Sequence, residues 1–271
     1  MKIIDAHCHP LCGKNGVEYA RKYGIDATFK GCRKELDKNK ISAAVSISWH
    51  FEGNTPIDYQ QLMKMANADK RIFPVCAVNP TQATTAGFAL LRKALQKGLV
   101  HGIKIYLGYL PLYATDKRYA RFYKLAQEFD VPVVFHTGDT FGHEFHVKYA
   151  HPLQIDDVAV KFRKNTFVIA HMGNPWIRDT AEVVYKNPNV YTDLSALCIG
   201  SPGKHPISRI VINDIDYVFN YVGDPTKFLY GSDWPLVKMH EYIAIMKKAI
   251  PRKHHNAFFY KNAKKVFKLP V

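Results

Sequence analysis

The first residues able to do chemistry are His7 and His9, in the stretch Lys2-Ile3-Ile4-Asp5-Ala6-His7-Cys8-His9. The isoleucines read as a strand, and on a strand residues i and i+2 point to the same side. The two imidazoles therefore leave the strand's C-terminal end in one direction. Neutral imidazole binds zinc at about 2.0–2.1 Å. By itself, one such pair among 13 histidines is weak evidence for a site. Pro10 follows and ends the strand, and further polar residues stand at comparable strand ends downstream: His136, His171 and Asp233, with Lys104 inside a strand. Three histidines and a carboxylate make a four-ligand set that zinc accepts. His171 reads either as a ligand or as a general acid/base suited to neutral pH. Asp233 can bind a metal and can take a proton from water; the alternative is a turn carboxylate capping a helix after Trp234-Pro235. Lys104, in Gly-Ile-Lys-Ile-Tyr, is costly to bury unless an anion meets it. It could pair with Asp233 or an anionic substrate, become a carbamate bridging two metals, or snorkel to the barrel rim. Trp49, His50, Tyr106, Tyr109, Asp139, Trp176 and Arg178, with His143 and His146, are read as lying around the mouth of this site. They suit a compact polar or aromatic substrate.

These residues need elements that bring them to one place. Short β-rich runs cover 2–9, 43–49, 72–78, 102–107, 131–136, 166–171, 189–194 and 227–233. Several are continuously apolar, as strands buried on both faces of a parallel sheet are. Helical periodicity fills most of the gaps, over 59–68, 83–97, 119–129, 155–162, 180–185 and 207–221. Asn79-Pro80-Thr81 predicts the start of the 83–97 helix, and Gly98 its stop. The crossover 13–39 is less regular and reads as containing a lid-like loop. A final helix over 255–269 should pack Phe258, Phe259, Val266 and Phe267 on the barrel wall. Strands alternating with helices predict an α/β fold, a single (β/α)8 TIM barrel over residues 1–271. In such a barrel the strand ends converge on one face.

Composition bounds the rest. The chain has 271 residues, 47% hydrophobic and 23% charged, which is globular. No apolar run reaches membrane-spanning length, and no membrane partner is expected. The N-terminus enters a strand at once, leaving no room for a secretory leader, so a cytoplasmic location is expected. The five cysteines (Cys8, Cys12, Cys32, Cys76 and Cys198) are odd in number and scattered, unlike a disulfide framework. Cys8 and Cys12 are read as reduced loop thiols rather than a metal pair. Lys plus Arg is 38 and Asp plus Glu 23, a formal charge of 38 − 23 = +15. Its densest pieces, around Lys247 to Lys253 and Lys261 to Lys268, read as solvated helical faces. No zinc finger, Gly-rich phosphate loop or arginine-rich tail supports a nucleic-acid partner. A small-molecule substrate is expected, and a homodimer is compatible with the sequence.

The motif pieces together resemble the amidohydrolase superfamily, and within it the amidohydrolase-2 group of metal-dependent hydrolases and decarboxylases. They are Ile4-Asp5-Ala6-His7-Cys8-His9, Gly102-Ile103-Lys104, Pro132 to Gly138, Ile169 to Gly173, Asn189 to Ser195, Gly231 to Pro235 and Asn262 to Phe267. The resemblance runs nearly end to end. It implies that His7, His9, His136 and Asp233 hold one zinc and that His171 is the acid/base. Lys104 joins Asp233 and His171 as a catalytic candidate, with a second ion as the alternative if it is carbamylated. Members of the group hydrolyse amides or lactones, hydrate double bonds, or decarboxylate aromatic and related acids. The leading expectation is a hydrolase using metal-activated water on a small, carboxylate-bearing or cyclic substrate; the alternative is a decarboxylase. TatD-like deoxyribonucleases share the opening His-x-His but carry a carboxylate on strand four, where this chain has Lys104.

Overall fold

The structure is a computed structural model that describes residues 1–48, 56–204 and 206–271. Trp49 and His50 lie outside them. Eight parallel strands follow one another in chain order: β1 (Ile3–Cys8), β2 (Ile41–Ile47), β3 (Ile72–Ala77), β4 (Ile103–Tyr106), β5 (Val133–His136), β6 (Phe167–Ile169), β7 (Val190–Asp193) and β8 (Phe228–Leu229). Backbone bonds from Ala6 N to Tyr230 O at 2.8 Å and from Asp233 N to His7 O at 2.7 Å join the last strand to the first. The predicted (β/α)8 barrel is therefore the observed fold.

Alternation along the strands sorts side chains between two layers. On β4 and β5, Lys104 and His136 face the central cavity, while Ile103, Ile105, Val133 and Phe135 pack toward the helices. The barrel interior is filled by residues such as Val45, Phe73, Val75, Val134, Val168 and Leu229. Val266 and Phe267 of the C-terminal segment join that interior cluster, and Phe258 and Phe259 pack in the helical layer. All four are buried, as expected of the final segment. That segment is not one helix, however: a short π-helical stretch at Ala257–Lys261 precedes an α-helix at Asn262–Val266.

Three further expectations are corrected. The first crossover is regular, with α1 (Lys14–Lys22) and α2 (Phe29–Lys38), the latter capped by Thr28. The helix expected over 83–97 runs from Thr85 to Gln96, and its cap is not in Asn79-Pro80-Thr81 but is Thr84, whose side chain accepts from Gly87 N. Asn79 instead closes a turn onto Thr81. The eighth strand is only Phe228–Leu229, so Asp233 projects from the turn beyond it. Lys247, Lys248, Lys264, Lys265 and Lys268 are exposed, as expected of solvated helical faces. Among the described residues no helix is long and apolar enough to cross a membrane.

Candidate metal centre

His7 lies in β1 and His9 just past its end; both line one cavity and both are buried. Their outer nitrogens are committed to the protein. His9 Nδ1 meets the Ile47 carbonyl at 2.9 Å, and a carbonyl can only accept, so Nδ1 carries the proton. His7 Nδ1 meets Asp193 Oδ2 at 2.8 Å, which fixes the same tautomer. Each ring is left with an Nε2 lone pair. Burial, aided by Lys104, pushes the His7 pKa down to about 3, so the ring is neutral at physiological pH. That is the state a metal ligand requires.

Asp233 closes the set. Its backbone sits in the left-handed region at φ 62°, held by the 2.7 Å bond from its N–H to His7 O. Below it, Asp5 ties the two ligand-bearing segments together: its carboxylate accepts from the N–H of His7 and of Ser232. Burial pushes Asp5 up to about 7 against these bonds. Gly231 lets the turn after β8 pass close to β1, since a Cβ there would lie 2.8 Å from His7 Cβ. Asp233 Oδ1 then lies 3.1 Å from His9 Nε2 and 3.5 Å from His7 Nε2. It is buried, yet among the described residues no hydrogen bond of good geometry reaches it. Burial opposes its charge, but the His9, His171 and His7 rings more than offset this and hold it below the usual carboxylate range. One donor atom from each of His7, His9 and Asp233 lies within 4.8 Å of the others. Two imidazole Nε2 atoms converging with a buried carboxylate oxygen fit a divalent cation.

His136 and His171 enter the same cavity from β5 and from the turn after β6. His136 Nε2 donates to Asp139 O at 2.9 Å, leaving Nδ1 as its lone pair. His171 follows β6 in a turn where it and Met172 have φ of 59° and 50°, backbone that non-glycine residues adopt at a cost. Its Nδ1 contacts Ser195 Oγ at 2.9 Å and Ser195 O at 3.2 Å. The serine hydroxyl gives its own proton to Asp193, so His171 Nδ1 is the donor and Nε2 is left over. Burial lowers the pKa of both rings, of His136 most strongly.

Asp193 at the end of β7 organises this arrangement; the sequence reading gave it no role, although it stands at a strand end as His136 does. One oxygen holds His7, and the other accepts from the backbone N–H of His171 and of Ser195. Burial pushes its pKa up, but His7, His171 and the Ser195 hydroxyl keep it ionised. His7, His171 and Asp193 also form a compact group. Its contacts are already hydrogen bonds, so it braces the ligand set and is not a second cage.

Lys104 is fully buried, with burial pushing its pKa down to about 8 while Asp193 and Asp233 pull it back. It does not reach the barrel rim. Among the described residues it makes no ion pair, with Asp233 or any other carboxylate; its Nζ lies 3.5 Å from His7 Nε2 and over the Tyr106 ring. The cavity measures ≈ 590 Å³, within the range of small-ligand sites. Tyr106, Tyr109 and Asp139 line it as expected, joined by Tyr19, Tyr23 and Phe141, which the sequence reading missed. Tyr19 stands on helix α1 and Tyr23 at its C-cap. His143, His146, Trp176 and Arg178 do not line it. Arg178 instead covers the Tyr217 ring at 4.2 Å, and Trp176 packs on His151.

Comparison with known proteins agrees with this architecture. A probable 2-pyrone-4,6-dicarboxylic acid hydrolase from Acinetobacter baumannii, with citric acid bound, superposes with a TM-score of 0.71 at 18% identity, over 99% of this chain and 100% of that one. An amidohydrolase from Burkholderia multivorans with bound zinc gives 0.77 at 15% identity, over all of both chains (100% and 100%). A dihydroxybenzoic acid decarboxylase from a Polaromonas species, with manganese and the inhibitor 2-nitroresorcinol, gives 0.69 at 15%, over 100% and 98%. At these identities the likeness is one of fold. No curated protein sequence matches the chain. The Amidohydrolase family model of the amidohydrolase-2 group, however, matches residues 4–269, and by that match the chain belongs to the amidohydrolase family.

Proposed function

We propose that the protein is a metal-dependent hydrolase acting on a small, carboxylate-bearing or cyclic substrate, with one zinc held by His7, His9, His136 and Asp233. The observation that supports it most is the convergence of His7 Nε2, His9 Nε2 and Asp233 Oδ1, with both outer ring nitrogens tied off. When bound, the ion supplies Lewis acidity toward water and toward a substrate carbonyl. Asp233 is ionised and takes the proton from the attacking water. His171, held by Ser195 through Nδ1, offers its Nε2 lone pair to take this proton over from Asp233; once protonated there it acts as general acid toward the leaving group, and its lowered pKa favours that release. Asp193 keeps His7 and His171 in register for these roles. Lys104, a buried ammonium in the cavity without a carboxylate partner, binds the carboxylate of the substrate. A cytoplasmic location belongs to this reading and rests on five free thiols.

A decarboxylase on the same site is the second reading. It is favoured by the aromatic wall of Tyr106, Tyr109 and Phe141 beside Lys104, which suits a flat aromatic acid, and by the likeness to the dihydroxybenzoic acid decarboxylase. There Asp233 or His171 would protonate the ring carbon. Lactones, amides and aromatic carboxylic acids should be tested side by side, with released carbon dioxide measured in each. Ring opening or amide cleavage without carbon dioxide supports the hydrolase, and carbon dioxide release replaces it with the decarboxylase. Full activity after metal removal would sink both.

A further inference from the structure

His7 Nε2, one of the converging donors, has a cationic neighbour inside the protein. Lys104 Nζ lies 3.5 Å from it, within reach of a hydrogen bond. The ring cannot answer with its other nitrogen, because Nδ1 is committed to Asp193 at 2.8 Å. One imidazole lone pair accepts one partner, so an ammonium N–H and a divalent ion exclude each other at Nε2. Charge sharpens the conflict, since two cations repel strongly in a buried site. Lys104 is held on β4 between buried Ile103 and Ile105, with its head lining the cavity and the Tyr106 ring face 5.1 Å from Nζ. No carboxylate of the described residues pairs with it there. An ammonium displaced from Nε2 therefore has the cavity to turn to, and it is stabilised when an anion occupies that space.

We infer that Lys104 couples the metal site to the substrate site. In the ligand-free protein it competes with the ion for His7 Nε2, and a carboxylate ligand draws it away, so that ion and carboxylate each tighten the binding of the other. Reciprocity follows from linkage: if the carboxylate raises metal affinity by some factor, the metal raises carboxylate affinity by the same factor. The inference rests on the metal-dependent reading above, but not on the reaction catalysed.

The test is a metal titration. Chelator-stripped wild type, Lys104→Met and Lys104→Gln are titrated with Zn2+ and with Co2+ against a chromophoric chelator at one fixed pH, with and without benzoate as the carboxylate probe. Circular dichroism checks that each protein is folded, and the glutamine variant carries the test if the methionine variant is not. Without benzoate, both variants should bind the ions about tenfold more tightly than wild type, and benzoate should tighten wild type by about tenfold while leaving the variants unchanged. Equal affinity in all three proteins would overturn the coupling, and weaker binding by the variants would do so by making the lysine an aid to the ion. Benzoate tightening all three alike would place its effect on the ion itself and remove Lys104 from the link. Uptake of no ion by any of the proteins would overturn the metal-dependent reading itself, a result distinct from the others.

Discussion

At His7 the two ring nitrogens have separate duties, one toward Asp193 and one toward the cavity. Replacing Asp193 by Asn keeps the shape but lets an amide present either oxygen or NH2 to Nδ1, so the tautomer is no longer fixed. We expect Asp193→Asn to fold normally and to lose metal affinity by about 10–100-fold, as removal of such supporting partners does elsewhere. Competition with a chelator measures this, and unchanged affinity would show that Asp193 only packs. His7→Ala and His136→Ala should each lose tightly bound metal while staying folded, because both residues sit at the cavity and not in the packed interior. His171→Asn should keep most of its metal and lose turnover. Elemental analysis of the purified variants separates these outcomes: wild-type metal in the first two removes them from the ligand set, and its loss in the third adds His171 to it.

The elements deliver these side chains through short turns with demanding backbone. Gly138, after β5, has φ 91°, and a Cβ there would lie 2.2 Å from Asn174 O. That contact brings the β5 and β6 turns together, with Asp139 N bonded to Asn174 O at 2.9 Å. Gly98 also has a positive φ, 64°, but a Cβ there would meet nothing within 4 Å. The two glycines thus separate strain alone from strain plus collision. In urea unfolding, Gly98→Ala should cost about 1 kcal/mol, and Gly138→Ala about 3 kcal/mol or more, with a disturbed site. Equal costs would mean that the two turns can part without penalty.

Over the whole molecule, thiol reactivity reports how completely the barrel is packed. Cys8, Cys32, Cys76 and Cys198 are buried, and only Cys12 is half-buried. Burial pushes Cys32 and Cys76 up to about 12 and Cys198 up to about 11, so almost no thiolate forms there at neutral pH. A thiol reagent near neutral pH should therefore modify one cysteine rapidly in the native protein and all five after denaturation. Mass spectrometry should place the native label on Cys12; rapid labelling of Cys198, which lines the cavity, would show that the site opens far more readily than this packing allows. The charge of +15 is spread along the chain, and the exposed lysines of its densest stretches, in the last helices, lie away from the cavity wall.

Strand and helix periodicity, set by which residues are apolar, was enough to recover the barrel, the strand ends near which His7, His9, His136, His171 and Asp233 stand, and the strand that holds Lys104. Those patterns are local, and a (β/α)8 fold turns local order into a shared face. Element ends were less legible: Thr84 in place of Asn79 as cap, and a strand of two residues before Asp233, were decided by competing side-chain bonds and by the closure of β8 on β1. Partnership was not legible at all. Asp193 meets His7 186 positions away along the chain, Tyr19 of α1 and Phe141 of the loop after β5 share a wall, and Arg178 turns to Tyr217 and not to the cavity. Such pairings depend on distances in space that no spacing in the sequence encodes. The same holds for Lys104: its burial cost could be read from the strand around it, but its neighbour is His7 Nε2, and only the closed barrel brings the two together.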